Sequence, residues 1–289
     1  MRPTTRSLWI TAFVFCAVGV RATQGADMAA DITADVVYGH KDGMALTLDV
    51  YKPEKDANGA GAIFMVSGGW YSHWFPPKAT IGLFQPLLDE GFTVFAVRHG
   101  SSPKYKIPEI IEDVRRSVRF IRLRAAEFGV DPERLGVFGA SAGGHLSLVL
   151  GTTGDDGDPK AKEEVLRVSD RVAVVVAYFP PTDVRPWVTE DSTYRRDFPA
   201  LQFDPAKAAD CSPVLHASED DPPTLLVHGD KDELVPLDHS QKMLAEFKEK
   251  KVPCELLVIE GAAHGFAGKD GKRATEALVG WFKKHLAKR

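Results

Sequence analysis

Cysteine is scarce: Cys16, Cys211 and Cys254 are the only three in 289 residues. A disulfide-stapled scaffold is thereby excluded, and no Cys/His grouping has the spacing of a zinc site. No uninterrupted apolar run reaches the roughly 18 residues of a permanent membrane span. An excess of one charge is lacking too. The 36 basic side chains stand against 40 acidic ones, a formal charge of -4, which is not the basic footprint of a nucleic-acid binder. With no internal repeat and no low-complexity linker, a single domain is expected over residues 27–289.

What is present begins with a leader. Arg2 and Arg6 precede an uncharged stretch over 8–20, and small residues follow at Ala22, Gly25 and Ala26. This is the layout of a secretory signal peptide over residues 1–26, cut between 22 and 26, and it implies a secreted or periplasmic protein free of the membrane after cleavage. An uncleaved anchor is the competing reading of the same run. Cys211 and Cys254 would survive cleavage as a bridge or as two free thiols. Sequence does not decide, because a bridge needs Cα atoms within about 7 Å.

Downstream, short β-rich stretches alternate with helical ones. Strands are expected at 35–38, 45–51, 62–66, 93–97, 135–138, 172–178, 224–227 and 255–259. The later ones are continuous Val/Ile/Leu/Phe runs, as in strands covered on both faces by helices. Helices are expected at 81–90, 108–128, 146–151, 238–250 and 273–286. In the second, Ile110, Ile111, Val114, Val118 and Ile121 keep helical spacing, which leaves Arg115, Arg116 and Arg122 on a solvated stripe. The alternation implies an α/β fold with a mostly parallel twisted sheet, whose ligand crevice lies beyond the carboxyl ends of the strands. Residues 180–215 break the rhythm and read as a lid-like insertion, its Trp187, Tyr194 and Phe198 either contacting substrate or packing the insertion down.

One motif carries chemistry. Gly139-Ala140-Ser141-Ala142-Gly143 follows an apolar run and precedes another, which is a strand, a sharp turn and a helix with a serine at the turn. A serine hydroxyl needs a base, usually an imidazole oriented by a carboxylate. Two later strand ends offer both: His228-Gly229-Asp230-Lys231-Asp232-Glu233-Leu234-Val235-Pro236 and Gly261-Ala262-Ala263-His264-Gly265-Phe266.

These segments resemble the α/β-hydrolases, in the carboxylesterase-like and prolyl-oligopeptidase-like branch. The resemblance places the nucleophile on Ser141, the acid on Asp232 and the base on His264, with Asp230 and Glu233 as rival acids. His145 and His228 are expected to pack the elbow helix and to shape the acid loop. Ser67-Gly68-Gly69-Trp70 is similar to the family's His-Gly-Gly-Gly-Trp loop, so the amides of Gly68, Gly69 and Ala142 are expected to form the oxyanion hole, with Trp70 near the substrate. Val66 stands where the family often has histidine, and Ser67 replaces a glycine. The implied activity is a serine esterase acting through an acyl-enzyme, without metal or organic cofactor. Its substrate is a small or carbohydrate ester, acetylated or feruloylated. A serine peptidase and a non-catalytic binding protein are the alternatives.

Overall fold

The runs of apolar residues become strands that are buried from both sides. The computed structural model describes residues 30–287, so the leader expected over 1–26 lies outside the described residues. Eight strands form one sheet: β1 (Ala30–Lys41), β2 (Met44–Pro53), β3 (Gly61–Met65), β4 (Thr93–Val97), β5 (Leu135–Ala140), β6 (Val174–Tyr178), β7 (Thr224–Gly229) and β8 (Cys254–Ile259). Their order is β1-β2-β4-β3-β5-β6-β7-β8. β1 and β2 pair antiparallel and join antiparallel to β4, whereas every pairing from β4 to β8 is parallel.

Successive residues of β6 show why the runs are continuous. Val175 and Ala177 enter the core that holds helices α2 (Ile107–Leu123), α4 (Ala142–Thr153) and α6 (Asp238–Glu249). Val174 and Val176 enter the opposite core, beneath α1 (Pro77–Leu88) and α7 (Gly268–Leu286). Each fully buried valine of this kind contributes about 1.5–3 kcal/mol by leaving water. The α/β-hydrolase fold that results delivers the ends of β3 to β8 to one edge.

Two expectations about the helices are corrected. The span 108–128 is two helices, because the backbone leaves the helical region at Arg124 (φ -104°, ψ 16°) before α3 (Ala125–Phe128). The arginines of α2 are also not a solvated stripe. Arg115 and Arg119 both reach Asp170 Oδ2, at 2.8 and 3.1 Å, and Arg119 meets Asp155 at 2.5 Å. Arg122 donates to the carbonyls of Pro132, Ser169 and Arg171, and Arg116 reaches Glu163 and the carbonyl of Tyr38. The helix thus clamps the segment that connects α4 to β6. The insertion folds as short turns around α5 (Thr193–Asp197). Cys211 and Cys254 are both free thiols, and burial pushes each up to about 12, so neither is a ready nucleophile.

The side chain of Asp170 is fully buried, and its other oxygen accepts the amide of Asp155 at 2.7 Å. Removing one partner of such a pair strands the other charge, which costs about 3–5 kcal/mol. Asp170→Ala should therefore lose that much in urea unfolding. Lys242→Ala, which breaks only the exposed Lys242–Asp238 pair, should lose about 0.5 kcal/mol.

Candidate active site

Ser141 sits where β5 turns into α4, at φ 54° and ψ -120°, a region that costs a non-glycine residue about 1–3 kcal/mol. The surroundings hold it there. Its amide donates to the Tyr178 carbonyl at 2.9 Å, and its carbonyl accepts from His145 at 2.9 Å. A Cβ at Gly139 would stand 2.5 Å from the backbone of Gly143, and one at Gly143 would stand 2.7 Å from the Met65 carbonyl. The elbow closes only because both positions lack a side chain.

The loops after β7 and β8 converge on this serine. His264 Nε2 lies 2.9 Å from Ser141 Oγ, and Nδ1 lies 2.7 Å from Asp232 Oδ2. A carboxylate only accepts, so Nδ1 carries the hydrogen, and Nε2 presents its lone pair to the serine hydroxyl. Phe179, at the end of β6 with φ 36°, packs its ring 4.5 Å from the imidazole.

Asp232 is buried, and burial alone would raise its pKa. Hydrogen bonds from His228, His264 and the Val235 amide outweigh that cost and hold the carboxyl well below the usual carboxylate range. Oδ1 accepts the amides of Leu234 and Val235 at 3.0 and 2.9 Å. The rivals serve elsewhere: Asp230 accepts the Gly261 amide at 2.6 Å and so ties the two loops together, while Glu233 is exposed. His228 is buried, with Nε2 2.8 Å from the Val235 carbonyl and Nδ1 2.7 Å from Ser240 Oγ. It braces the acid loop, as its place at the strand end implied.

The loop after β3 departs from expectation. Gly68 and Tyr71 exchange amide and carbonyl at 3.0 Å each way, and the two residues between them have positive φ, 57° at Gly69 and 61° at Trp70. This is the backbone of a type I′ turn. Gly68 is therefore corrected as an oxyanion donor, since its N–H already has a partner within the turn. Among the described residues the amide of Gly69 makes no such bond, and the amide of Ala142 opens α4, where first-turn donors have no helical partner.

The aromatic residues pack the insertion down and also line the cleft. Trp187 stacks on Tyr194 with centroids 4.1 Å apart, Tyr194 donates to the Leu234 carbonyl at 2.9 Å, and Phe198 presses on Gly69. The same three rings, with Trp70, Pro181, Leu234 and Val235, line the cleft at Ser141. Trp70 itself is buried and donates from Nε1 to His145 Nδ1 at 3.3 Å, and His145 Nε2 lies 2.8 Å from the Cys211 carbonyl. Sequence reasoning missed His99, whose Nε2 lies 2.9 Å from Ser67 Oγ. Nothing local marks it, because it lies 32 residues away at the end of β4.

Residues 48–247 match the BD-FAE family. The chain belongs to that family. Among its curated relatives, the probable carboxylic ester hydrolase LipM of Mycobacterium tuberculosis is 27% identical over 257 residues, 85% of this chain and 58% of its own length. Ethyl acetate hydrolase of Pseudomonas putida is 25% identical over 268 residues, 86% of this chain and 80% of its own. The chain spans only 53–60% of the length of the three mycobacterial esterases it matches. Among solved structures, the propionate-bound thermophilic esterase Est2 of Thermogutta terrifontis superposes with a TM-score of 0.72 at 26% identity, covering 90% of this chain and 96% of that one.

Asp232 is held at a lower pKa in the folded chain than an unfolded carboxyl would have. A carboxyl held lower when folded than when unfolded lends stability at pH values above its unfolded pKa, near 3.9, and withdraws it as pH falls below that. Asp232→Asn should therefore show a flatter loss of urea stability between about pH 5 and 2 than the parent chain. Parallel curves would show that this carboxylate has no such stabilising charge.

Proposed function

We propose that the protein is a serine esterase that hydrolyses short-acyl carboxylic esters through an acyl-enzyme, and that its natural substrates carry the acyl group on a carbohydrate. The observation that carries the reading is the unbroken hydrogen-bond chain from Asp232 Oδ2 through His264 to Ser141 Oγ. Such a chain is what makes a neutral hydroxyl nucleophilic. The BD-FAE membership and the ester-hydrolysing relatives support it.

In the first half-reaction, Ser141 Oγ attacks the acyl carbon while His264 Nε2 takes its proton. The oxyanion is met by the amides of Ala142 and Gly69, and each such donor is worth about 10²–10³-fold in rate. Collapse breaks the ester C–O bond as His264 returns the proton to the leaving alcohol. In the second half, His264 deprotonates a water that attacks the acyl-serine, and the proton passes back to Ser141 as the acid leaves. Asp232 stays ionised throughout, fixing the tautomer and stabilising the imidazolium.

Two features support the substrate class. The cleft beside Ser141 is walled by Trp70, Trp187, Tyr194, Phe198, Leu234 and Val235, and bulky apolar walls of this kind favour a short acyl group over a feruloyl ring. On the chain segment that follows Gly69 and Trp70, the Tyr71 and His73 rings lie parallel at 6.0 Å, and Trp74 is 55% exposed, which offers apolar faces to a sugar ring. The arginine-flanked apolar run of the leader supports action outside the cytoplasm.

The test is steady-state hydrolysis of p-nitrophenyl acetate, butyrate and octanoate, together with acetylated xylan and an aminoacyl-proline anilide. Acetate should be the best of the three aryl esters, and Ser141→Ala should lose on the order of 10⁴-fold in kcat or more. Ester release that survives in Ser141→Ala, or anilide cleavage without ester cleavage, would refute the proposal.

A further inference from the structure

The loop after β3 lacks the histidine that similar loops often carry, yet an imidazole reaches it from the neighbouring strand. β4 pairs in parallel with β3, so the two strands deliver His99 and Ser67 to the same edge. His99 Nδ1 lies 2.9 Å from the Gly100 carbonyl, and Nε2 lies 2.9 Å from Ser67 Oγ. The carbonyl can only accept, so Nδ1 bears the hydrogen and the Ser67 hydroxyl donates to Nε2. A second tie runs beside the first: Ser72 Oγ donates to the Val66 carbonyl at 2.7 Å and accepts the His99 amide at 3.2 Å. His99 is only 5% exposed, and burial lowers its pKa to about 4, so the neutral ring persists at neutral pH. Ser67 immediately precedes the turn whose two central residues, Gly69 and Trp70, have positive φ.

We propose that His99, acting through the Ser67 hydroxyl, is a positioning residue for this turn and holds the Gly69 amide where the oxyanion develops. The proposal rests on the serine-esterase reading above. Glycine at position 67 would supply no hydroxyl, and the buried lone pair on His99 Nε2 would have no donor. With serine there, the turn is anchored to β4 through a side-chain pair. The oxyanion exists only at the tetrahedral stage, so loosening the anchor lowers kcat and leaves ground-state binding alone.

The experiment compares p-nitrophenyl acetate hydrolysis by the full chain with that of Ser67→Ala, Ser67→Gly, His99→Ala, His99→Gln and the Ser67→Ala/His99→Ala double variant, with a melting curve for each. Ser67→Ala, Ser67→Gly and His99→Ala should each lower kcat by about 10- to 100-fold, the scale of a misplaced catalytic group. KM should stay within about two-fold. The double variant should be no worse than its worse parent, because the two side chains act as one unit. His99→Gln should recover part of the loss, since its amide carbonyl can accept from Ser67. A raised KM at unchanged kcat, or losses that multiply in the double variant, would overturn the proposal. Ser67→Ala removes one hydroxyl and carries the test alone should the His99 variants fail to fold. Parent activity matched by Ser67→Ala removes the positioning role only, whereas a parent chain silent on every ester removes the esterase reading and this proposal with it.

Discussion

The candidate site depends on one imidazole with both nitrogens committed. His264 can offer Nε2 to Ser141 only while Nδ1–H is held by a carboxylate, and that carboxylate must be ionised inside the protein. Burying Asp232 costs free energy, which is offset by two backbone amides and two imidazoles around its oxygens. The serine, acid and base come from loops after β5, β7 and β8, so their meeting requires those strands to end at one edge. A parallel sheet guarantees that common edge. β6 lies between β5 and β7, and Phe179, the residue after it, packs against the imidazole.

Ser141, Asp232 and His264 each stand in a short segment that follows a run of apolar residues, so chain order implied that the three segments meet at one edge, and the choice of Asp232 over Asp230 and Glu233 came from the family resemblance. Helix starts were less legible, and for a common reason. α1 begins at Pro77 rather than 81, α4 at Ala142 rather than 146 and α7 at Gly268 rather than 273. Their first turns read Pro-Lys-Ala-Thr, Ala-Gly-Gly-His and Gly-Lys-Asp-Gly, none of which shows an apolar stripe. Periodicity registers the buried face and is blind to a turn without one. The α2 arginines misled for a related reason. Their spacing matches a solvated face, but their main partners lie 36–55 residues further along the chain, beyond the reach of a periodic pattern.

The oxyanion loop shows the sharper limit. Its glycines invited a reading by register, and register made Gly68 a donor. In the folded chain Trp70 adopts positive φ, the turn closes on itself, and Gly68 spends its amide on Tyr71. Neither the turn type nor the imidazole behind Ser67 follows from the loop's own residues. The imidazole depends on which strand lies next to β3, and that is a property of the sheet.

The insertion is coupled to the same loop through a buried histidine. His145 accepts from Trp70 at Nδ1 and faces the Cys211 carbonyl with Nε2, so its neutral ring satisfies a donor in the loop and an acceptor in the insertion. Charging the ring would place a hydrogen on Nδ1 and break the Trp70 contact. Burial lowers the pKa of His145 to about 4, and the bridge therefore holds at neutral pH. Phe198 presses from the insertion onto Gly69, close to where Trp70 turns. The wall of the cleft and the turn beside Ser141 are thus fastened at two points.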